Sequence, residues 1–215
     1  MFVRDRMSSP PMTITPDTAL RDALNLMHEH RFRRLPVVDE EGRLVGIVSE
    51  RDLLYASPPP ATLLSGFELN HLMAERRVDE IMTRDVLTAT PETFVEDAAR
   101  LMVENKIGGL PVVDEDNQVV GVITETDVFK AFVELYRAGH AGLYLTLEVR
   151  DRKGLMVELS KAILGLGGDI VGISSSYDEE TGDYRLVIKG QDVDRDRVVA
   201  ILESLGHQVR EIYEV

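Results

Sequence analysis

Two segments of this 215-residue chain place a hydroxyl and a carboxylate at the same spacing: Gly46-Ile47-Val48-Ser49-Glu50-Arg51-Asp52 and Gly121-Val122-Ile123-Thr124-Glu125-Thr126-Asp127. In each, an apolar run leads into Ser49 or Thr124. Asp52 or Asp127 follows three residues later, in what reads as the first turn of a helix. Free backbone N–H groups and a hydroxyl at a helix start can receive an anion. The Asp carboxylate can accept two hydrogen bonds from a cis-diol, which suits a ribose. The same Ser/Thr-x-x-Asp spacing is also a plain helix cap. Duplication copies caps as readily as sites, so recurrence leaves both readings open.

A second group of residues carries charge. Arg31, Arg33 and Arg34 stand just ahead of Leu35, in a chain whose formal charge is −14. Arginine forks match phosphate oxygens, which makes Arg33, Arg34 and Arg51 candidate phosphate partners. Salt bridges to the surplus of acids are the other use for them. The second copy has Lys106, Ile107, Gly108 and Gly109 in their place, which implies two related sites of unequal phosphate affinity.

Enzyme signatures fail one by one. Ile170 sits where the last glycine of a dinucleotide fingerprint begun at Gly165 belongs, and Gly172-Ile173-Ser174-Ser175-Ser176 misses the nucleophile-elbow pattern. No phosphate-loop pattern ending in Gly-Lys-Ser/Thr occurs. His28 and His30, two apart on a helix, point to different faces, so no metal pair is expected. The chain has no cysteine, which removes thiolate nucleophiles, disulfides and Cys-ligated metals. Met7, Met12, Met27, Met82 and Met102 are expected as core filler. The expectation is a protein that is not an enzyme.

The elements that position these residues come in duplicate. Sliding the chain by 75 positions lays residues 3–53 over 78–128, with 21 of the 51 positions identical. Thr15, followed by Pro16, reads as the start of a helix whose Leu20, Ala23, Leu24 and Met27 share one face; Val95, Ala98, Ala99 and Met102 repeat it. Residues 35–38 and 44–48 read as two strands, and Ser49 or Thr124 opens a second helix. In the second copy that helix is expected to run through Tyr136 to a stop at Gly139. Ser57-Pro58-Pro59-Pro60 ends the first copy. The expected boundaries are repeat 1 at 1–57, a partly helical linker at 58–77, repeat 2 at 78–138, a linker at 139–142 and a last domain at 143–215. That last domain reads βαββαβ, with Gly167-Gly168 ending its first helix.

Composition fits a globular protein, at 44% hydrophobic and 29% charged. The acidic balance opposes nonspecific grip on nucleic acid or an anionic membrane. No apolar run approaches the ~20 residues of a membrane helix. Met1-Phe2-Val3-Arg4-Asp5-Arg6 lacks the apolar stretch of a signal peptide, so the cytoplasm is the expected compartment.

Leu35-Pro36-Val37-Val38-Asp39, its copy at Leu110, and the two Gly-to-Asp junctions resemble the CBS domain. Asp151-Arg152-Lys153-Gly154 and Gly168-Asp169-Ile170 resemble an ACT domain, and the whole arrangement is similar to the acetoin utilization protein B family. The resemblance implies an α/β (α+β) fold: two CBS repeats packed as one pseudo-twofold Bateman module, plus a C-terminal ferredoxin-like βαββαβ ACT domain. It implies a non-catalytic regulator that binds AMP, ADP or ATP between the repeats and needs no cofactor. Thr15, Leu35, Pro36, Ser49 and Asp52 would form one site, and Thr90, Leu110, Pro111, Thr124 and Asp127 the other. It further implies an amino acid near Asp151 and Gly154 or a purely dimerising ACT domain, a homodimer, and a regulated metabolic enzyme as listener. Lys153 departs from the proline common at that place in ACT domains.

Overall fold

Apolar residues at helical spacing and short β-branched runs alternate along each repeat, and they fold as helix, strand, strand, helix. The computed structural model describes residues 1–56, 74–136, 141–150, 152–179 and 182–215. Ser57-Pro58-Pro59-Pro60, most of the expected linker helix, Gly139, His140 and Asp151 lie outside the described residues. The chain divides into two units, Met1–Phe129 and Lys130–Val215.

In the first unit, repeat 1 contributes α1 (Leu20–His30), β1 (Arg34–Val38), β2 (Leu44–Ser49) and α2 (Glu50–Ala56). Repeat 2 contributes α3 (Val95–Asn105), β3 (Gly109–Val113), β4 (Val119–Thr124) and α4 (Glu125–Leu135). α1 buries Leu20, Ala23 and Met27, and α3 buries Val95, Ala98 and Met102, the faces that their spacing marks. Each strand pair is antiparallel with matching register: Leu35 faces Val48, and Leu110 faces Ile123. The hairpins turn on Asp39 and Asp114, each of whose Oδ1 accepts two backbone N–H groups from the turn.

The helix start expected at Thr15 does not form. α1 begins at Leu20 because Thr15-Pro16-Asp17-Thr18 closes on itself. The Thr18 N–H donates to the Thr15 carbonyl at 3.1 Å, and the Thr15 N–H to Thr18 Oγ1 at 3.1 Å. The hydroxyl that would cap a helix is spent in a turn. Thr90 and Thr93 repeat the arrangement. α4 ends at Leu135, one residue short of Tyr136.

The repeats exchange their leading segments. Ser8 pairs with Val122 of repeat 2, and Thr83 pairs with Ile47 of repeat 1. The Val3 N–H donates to the Thr93 carbonyl at 2.8 Å, while the Val78 N–H donates to the Thr18 carbonyl at 3.0 Å. Every such contact recurs with both partners shifted by 75 and swapped, so the unit has a pseudo-twofold axis. The core of repeat 1 accordingly includes Val78 and Met82 from the other repeat's arm, packed with Leu20, Met27, Leu35 and Leu53. Exchanged arms give each repeat apolar cover that its own 50 residues do not supply.

The second unit is βαββαβ: β5 (Leu143–Val149), α5 (Leu155–Gly165), β6 (Asp169–Tyr177), β7 (Tyr184–Gln191), α6 (Arg195–Ser204) and β8 (Gln208–Glu214). The sheet order is β6-β7-β5-β8, all neighbours antiparallel. Alternation along β5 puts Leu143, Leu145, Leu147 and Val149 on one face, covered by Leu159 and Ile163 of α5 and Val198 and Leu202 of α6. Among the described residues, no helix is long and apolar enough to cross a membrane, and no group of three or more His, Cys, Asp or Glu could hold a metal ion.

Candidate functional site

Both Ser/Thr-x-x-Asp motifs fold at a strand-to-helix junction, where β2 meets α2 and β4 meets α4. In the first, Asp52 Oδ2 accepts the Ser49 hydroxyl at 2.6 Å and the Ser49 N–H at 2.8 Å. The Asp52 N–H returns to Ser49 Oγ at 3.3 Å. In the second, Asp127 Oδ2 accepts the Thr124 hydroxyl at 2.6 Å and its N–H at 3.0 Å. The capping reading is therefore realised in both copies. It uses only one oxygen of Asp52. Oδ1 makes no hydrogen bond among the described residues.

That junction borders a cavity of about 580 Å³. Repeat 1 supplies Arg33, Arg34, Ile47 and the run Ser49-Glu50-Arg51-Asp52. Repeat 2 supplies Thr83, Asp85, Val86 and Leu87 from its exchanged arm, Lys106, Ile107, Gly108 and Gly109 from the α3–β3 turn, and Glu125. Arg33 and Arg51 are exposed, and their side chains make no hydrogen bond or ion pair among the described residues. The Glu50 carboxylate meets His28 Nε2 at 3.2 Å. Lys106 ends α3 in the left-handed conformation, φ 55°, which turns the chain toward the cavity. Burial draws the Arg34 guanidinium's pKa below its ordinary value; Glu125 opposes the shift and Arg33 adds to it.

The structure thus brings Arg33, Arg34, Ser49, Arg51 and Asp52 together around one space. It places the other expected site residues elsewhere. Leu35 and Leu110 are 1% and 0% exposed in the core, and Pro36 and Pro111 are buried beside them. Thr15 and Thr90 sit in the exposed turns described above, and neither they nor Thr124 and Asp127 line this cavity. Thr83 and Asp85 went unread because arm exchange leaves no trace in local pattern. Glu50 and Glu125 were legible, since they sit inside the two motifs themselves.

In the second unit, Gly154 caps α5 with φ +85° and borders a cavity of about 550 Å³ with Val157, Glu158, Lys161, Ala162, Ile201 and Leu205. Glu158 Oε1 accepts from His207 Nε2 at 2.8 Å and from Arg152. Hydrogen bonds from His207 first, then Arg152, hold the Glu158 carboxyl below the usual glutamate range.

Known proteins share the first unit's pattern. The CBS domain family matches residues 3–58 and 78–134, over half of the chain. Protein MJ1225 of Methanocaldococcus jannaschii is 39% identical over 137 residues, which are 60% of this chain and 46% of that protein. This chain therefore spans about half the length of that relative. CBSX2, an Arabidopsis thaliana protein solved in complex with AMP, superposes with a TM-score of 0.51 at 36% identity, covering 62% of this chain and 96% of that one. AcuB of Vibrio cholerae, assigned to acetoin utilization, gives a TM-score of 0.53 at 35% identity, covering 63% and 92%. In both, a match confined to about six tenths of this chain accounts for nearly all of the neighbour. With two matched segments, two hairpins in equivalent register and exchanged arms related by a pseudo-twofold axis, this chain belongs to the CBS domain family.

Proposed function

We propose that this is a non-catalytic regulatory protein whose CBS pair binds an adenine nucleotide (AMP, ADP or ATP) in the cavity beside Ser49 and Asp52. The observation that carries the reading is an open space bordered by Asp52, one of whose carboxylate oxygens makes no hydrogen bond among the described residues, and by arginines whose side chains have no partner among them. Asp52 Oδ1 is assigned to the ribose diol, and Arg33, Arg34 and Arg51 to phosphate. Thr15, Leu35 and Pro36 are assigned to the same site as Ser49 and Asp52, from the flanking turn and strand, and Thr90, Leu110, Pro111, Thr124 and Asp127 to the second, equivalent one. The complex of CBSX2 with AMP supports the ligand class. An adenylate that favours one arrangement of the repeats over another would shift their equilibrium, which is what a regulator needs.

The second unit is assigned as an ACT-like domain that joins two protomers. Its α5 exposes Met156, Val157 and Leu164, and β8 is an edge strand with Tyr213 exposed. The likeness to AcuB supports a place in acetoin metabolism with a metabolic enzyme as listener. Calorimetric titration of AMP, ADP and ATP tests the central reading, with sedimentation on the same samples reporting the dimer. Adenylate binding that Asp52→Asn weakens without unfolding the protein supports it; ligand-free protein that takes up none of the three refutes it.

A further inference from the structure

The two repeats part company at one place in this cavity. Where repeat 1 has Arg33-Arg34 leading into β1, repeat 2 has Gly108-Gly109 leading into β3. The Arg34 side chain crosses to the other repeat and lies on that bare backbone. A Cβ on Gly109 would stand 2.6 Å from Arg34 Nη1, and one on Gly108 would stand 2.7 Å from Nη2. Contacts that close are ones real Cβ atoms do not make, so the glycine pair leaves room for the guanidinium; at Gly109 the Ile123 carbonyl oxygen, 2.8 Å from the same position, excludes a side chain as well. Glu125 Oε2 would lie 2.9 Å from the same Gly108 Cβ. The two opposite charges therefore flank a single spot on the wall of the cavity. Neither side chain makes a hydrogen bond among the described residues, although Arg34 is half-buried. A guanidinium with five donors, held beside a carboxylate yet not bonded to it, is poised to take another acceptor.

We infer that Glu125 is an exchangeable counter-ion for Arg34: it balances the guanidinium over Gly108-Gly109 in the free protein, and the phosphate chain of a nucleoside polyphosphate takes its place on binding. This rests on the cavity being the nucleotide site, and it names what that site selects. Like-charge repulsion sets the carboxylate of Glu125 against each added phosphate, while Arg34, Arg33 and Lys106 attract it. Glu125 thus tunes how strongly the protein separates a triphosphate from a monophosphate, and Arg34 supplies the attraction. Adenosine, which carries no phosphate, is blind to both.

The test is calorimetric titration of ATP, AMP and adenosine into the full chain and into Glu125→Gln and Arg34→Ala. Glu125→Gln is expected to tighten ATP by about three- to fivefold, the scale of a part-exposed charge pair. Arg34→Ala is expected to weaken ATP by about tenfold or more, the scale of a lost charged hydrogen bond. Adenosine should change by less than about twofold in both, since it makes no contact with either charge. ATP affinity unchanged or weakened by Glu125→Gln, or adenosine weakened as much as ATP by Arg34→Ala, overturns the inference alone. Wild-type protein that binds none of the three ligands overturns the nucleotide reading itself.

Discussion

Asp52 has a capping role in the fold and a proposed one in binding. Oδ2 closes the junction between β2 and α2 through Ser49, and Oδ1 makes no hydrogen bond among the described residues in a side chain that borders the cavity. Asp52→Ala should therefore cost stability as well as ligand, about 0.5–2 kcal/mol for a lost cap. Asp52→Asn keeps an oxygen for Ser49 while discharging the side chain, so the two purposes come apart. Gly46 shows a different kind of constraint. A Cβ there would lie 2.6 Å from Met82 Sδ and 3.1 Å from the Thr83 carbonyl oxygen, both on the exchanged arm. Gly46→Ala should destabilise by about 1–3 kcal/mol, as overpacking does. Because the sulfur can move and the backbone cannot easily, the double variant with Met82→Ala should lose less than the sum of the singles. Chemical denaturation of the four proteins checks this; strict additivity would show that the glycine and the methionine do not contend for one space.

At the scale of elements, the strands were the most legible part of the sequence. Short apolar runs bounded by arginine, Asp39 and Gly42 left little freedom, and β1 and β2 form within a residue of where pattern places them. The start of α1 was misread at Thr15 because a Thr-Pro pair looks the same before a turn and before a helix. The arms were invisible, since their partners lie far along the chain, Ile47 against Thr83 and Ser8 against Val122, and no local period records them. Their exchange has a residue-specific consequence. Deleting residues 1–9 removes the acceptors of the Val122 and Val95 N–H groups, the Ser8 and Met1 carbonyls. Hydrogen exchange should then quicken at Val122 and Val95 of repeat 2. Ile47 and Leu20 of repeat 1, whose acceptors are Thr83 and Arg76, should stay protected. Faster exchange in repeat 1 instead would contradict the exchange of arms.

In the second unit, the cluster of Arg152, Glu158 and His207 ties the start of α5 to the turn before β8. A carboxylate whose folded-state pKa is lowered adds stability that is fully present above its unfolded value. That stability is lost as pH falls through the folded value. The contribution of Glu158 is therefore intact above the ordinary glutamate range and disappears below it. Glu158→Gln should flatten the fall of unfolding free energy with acid below about pH 4.5, measured against wild type. An unchanged slope would show that the cluster does not couple to folding.

Taken as a whole, the molecule carries a formal charge of −14, yet one cavity collects Arg33, Arg34, Arg51 and Lys106 against Glu50, Asp52, Asp85 and Glu125. A local balance of charge inside an acidic protein suits an anionic ligand that must also be released. The motif residues of this site were legible because the chain states them twice, and the arginines because they cluster in a chain of formal charge −14. The walls supplied by Thr83, Asp85 and the Gly108-Gly109 slot were not, because they become neighbours only through the pseudo-twofold axis. The most direct test of the account is calorimetric titration of ATP into ligand-free protein, Asp52→Asn and Asp127→Asn, with the melting temperature of each recorded. Loss of a charged hydrogen bond should weaken binding by about tenfold or more in Asp52→Asn, with its melting temperature held close to that of the wild type. Binding in Asp52→Asn and Asp127→Asn equal to wild type, or no binding in any of the three, would contradict it.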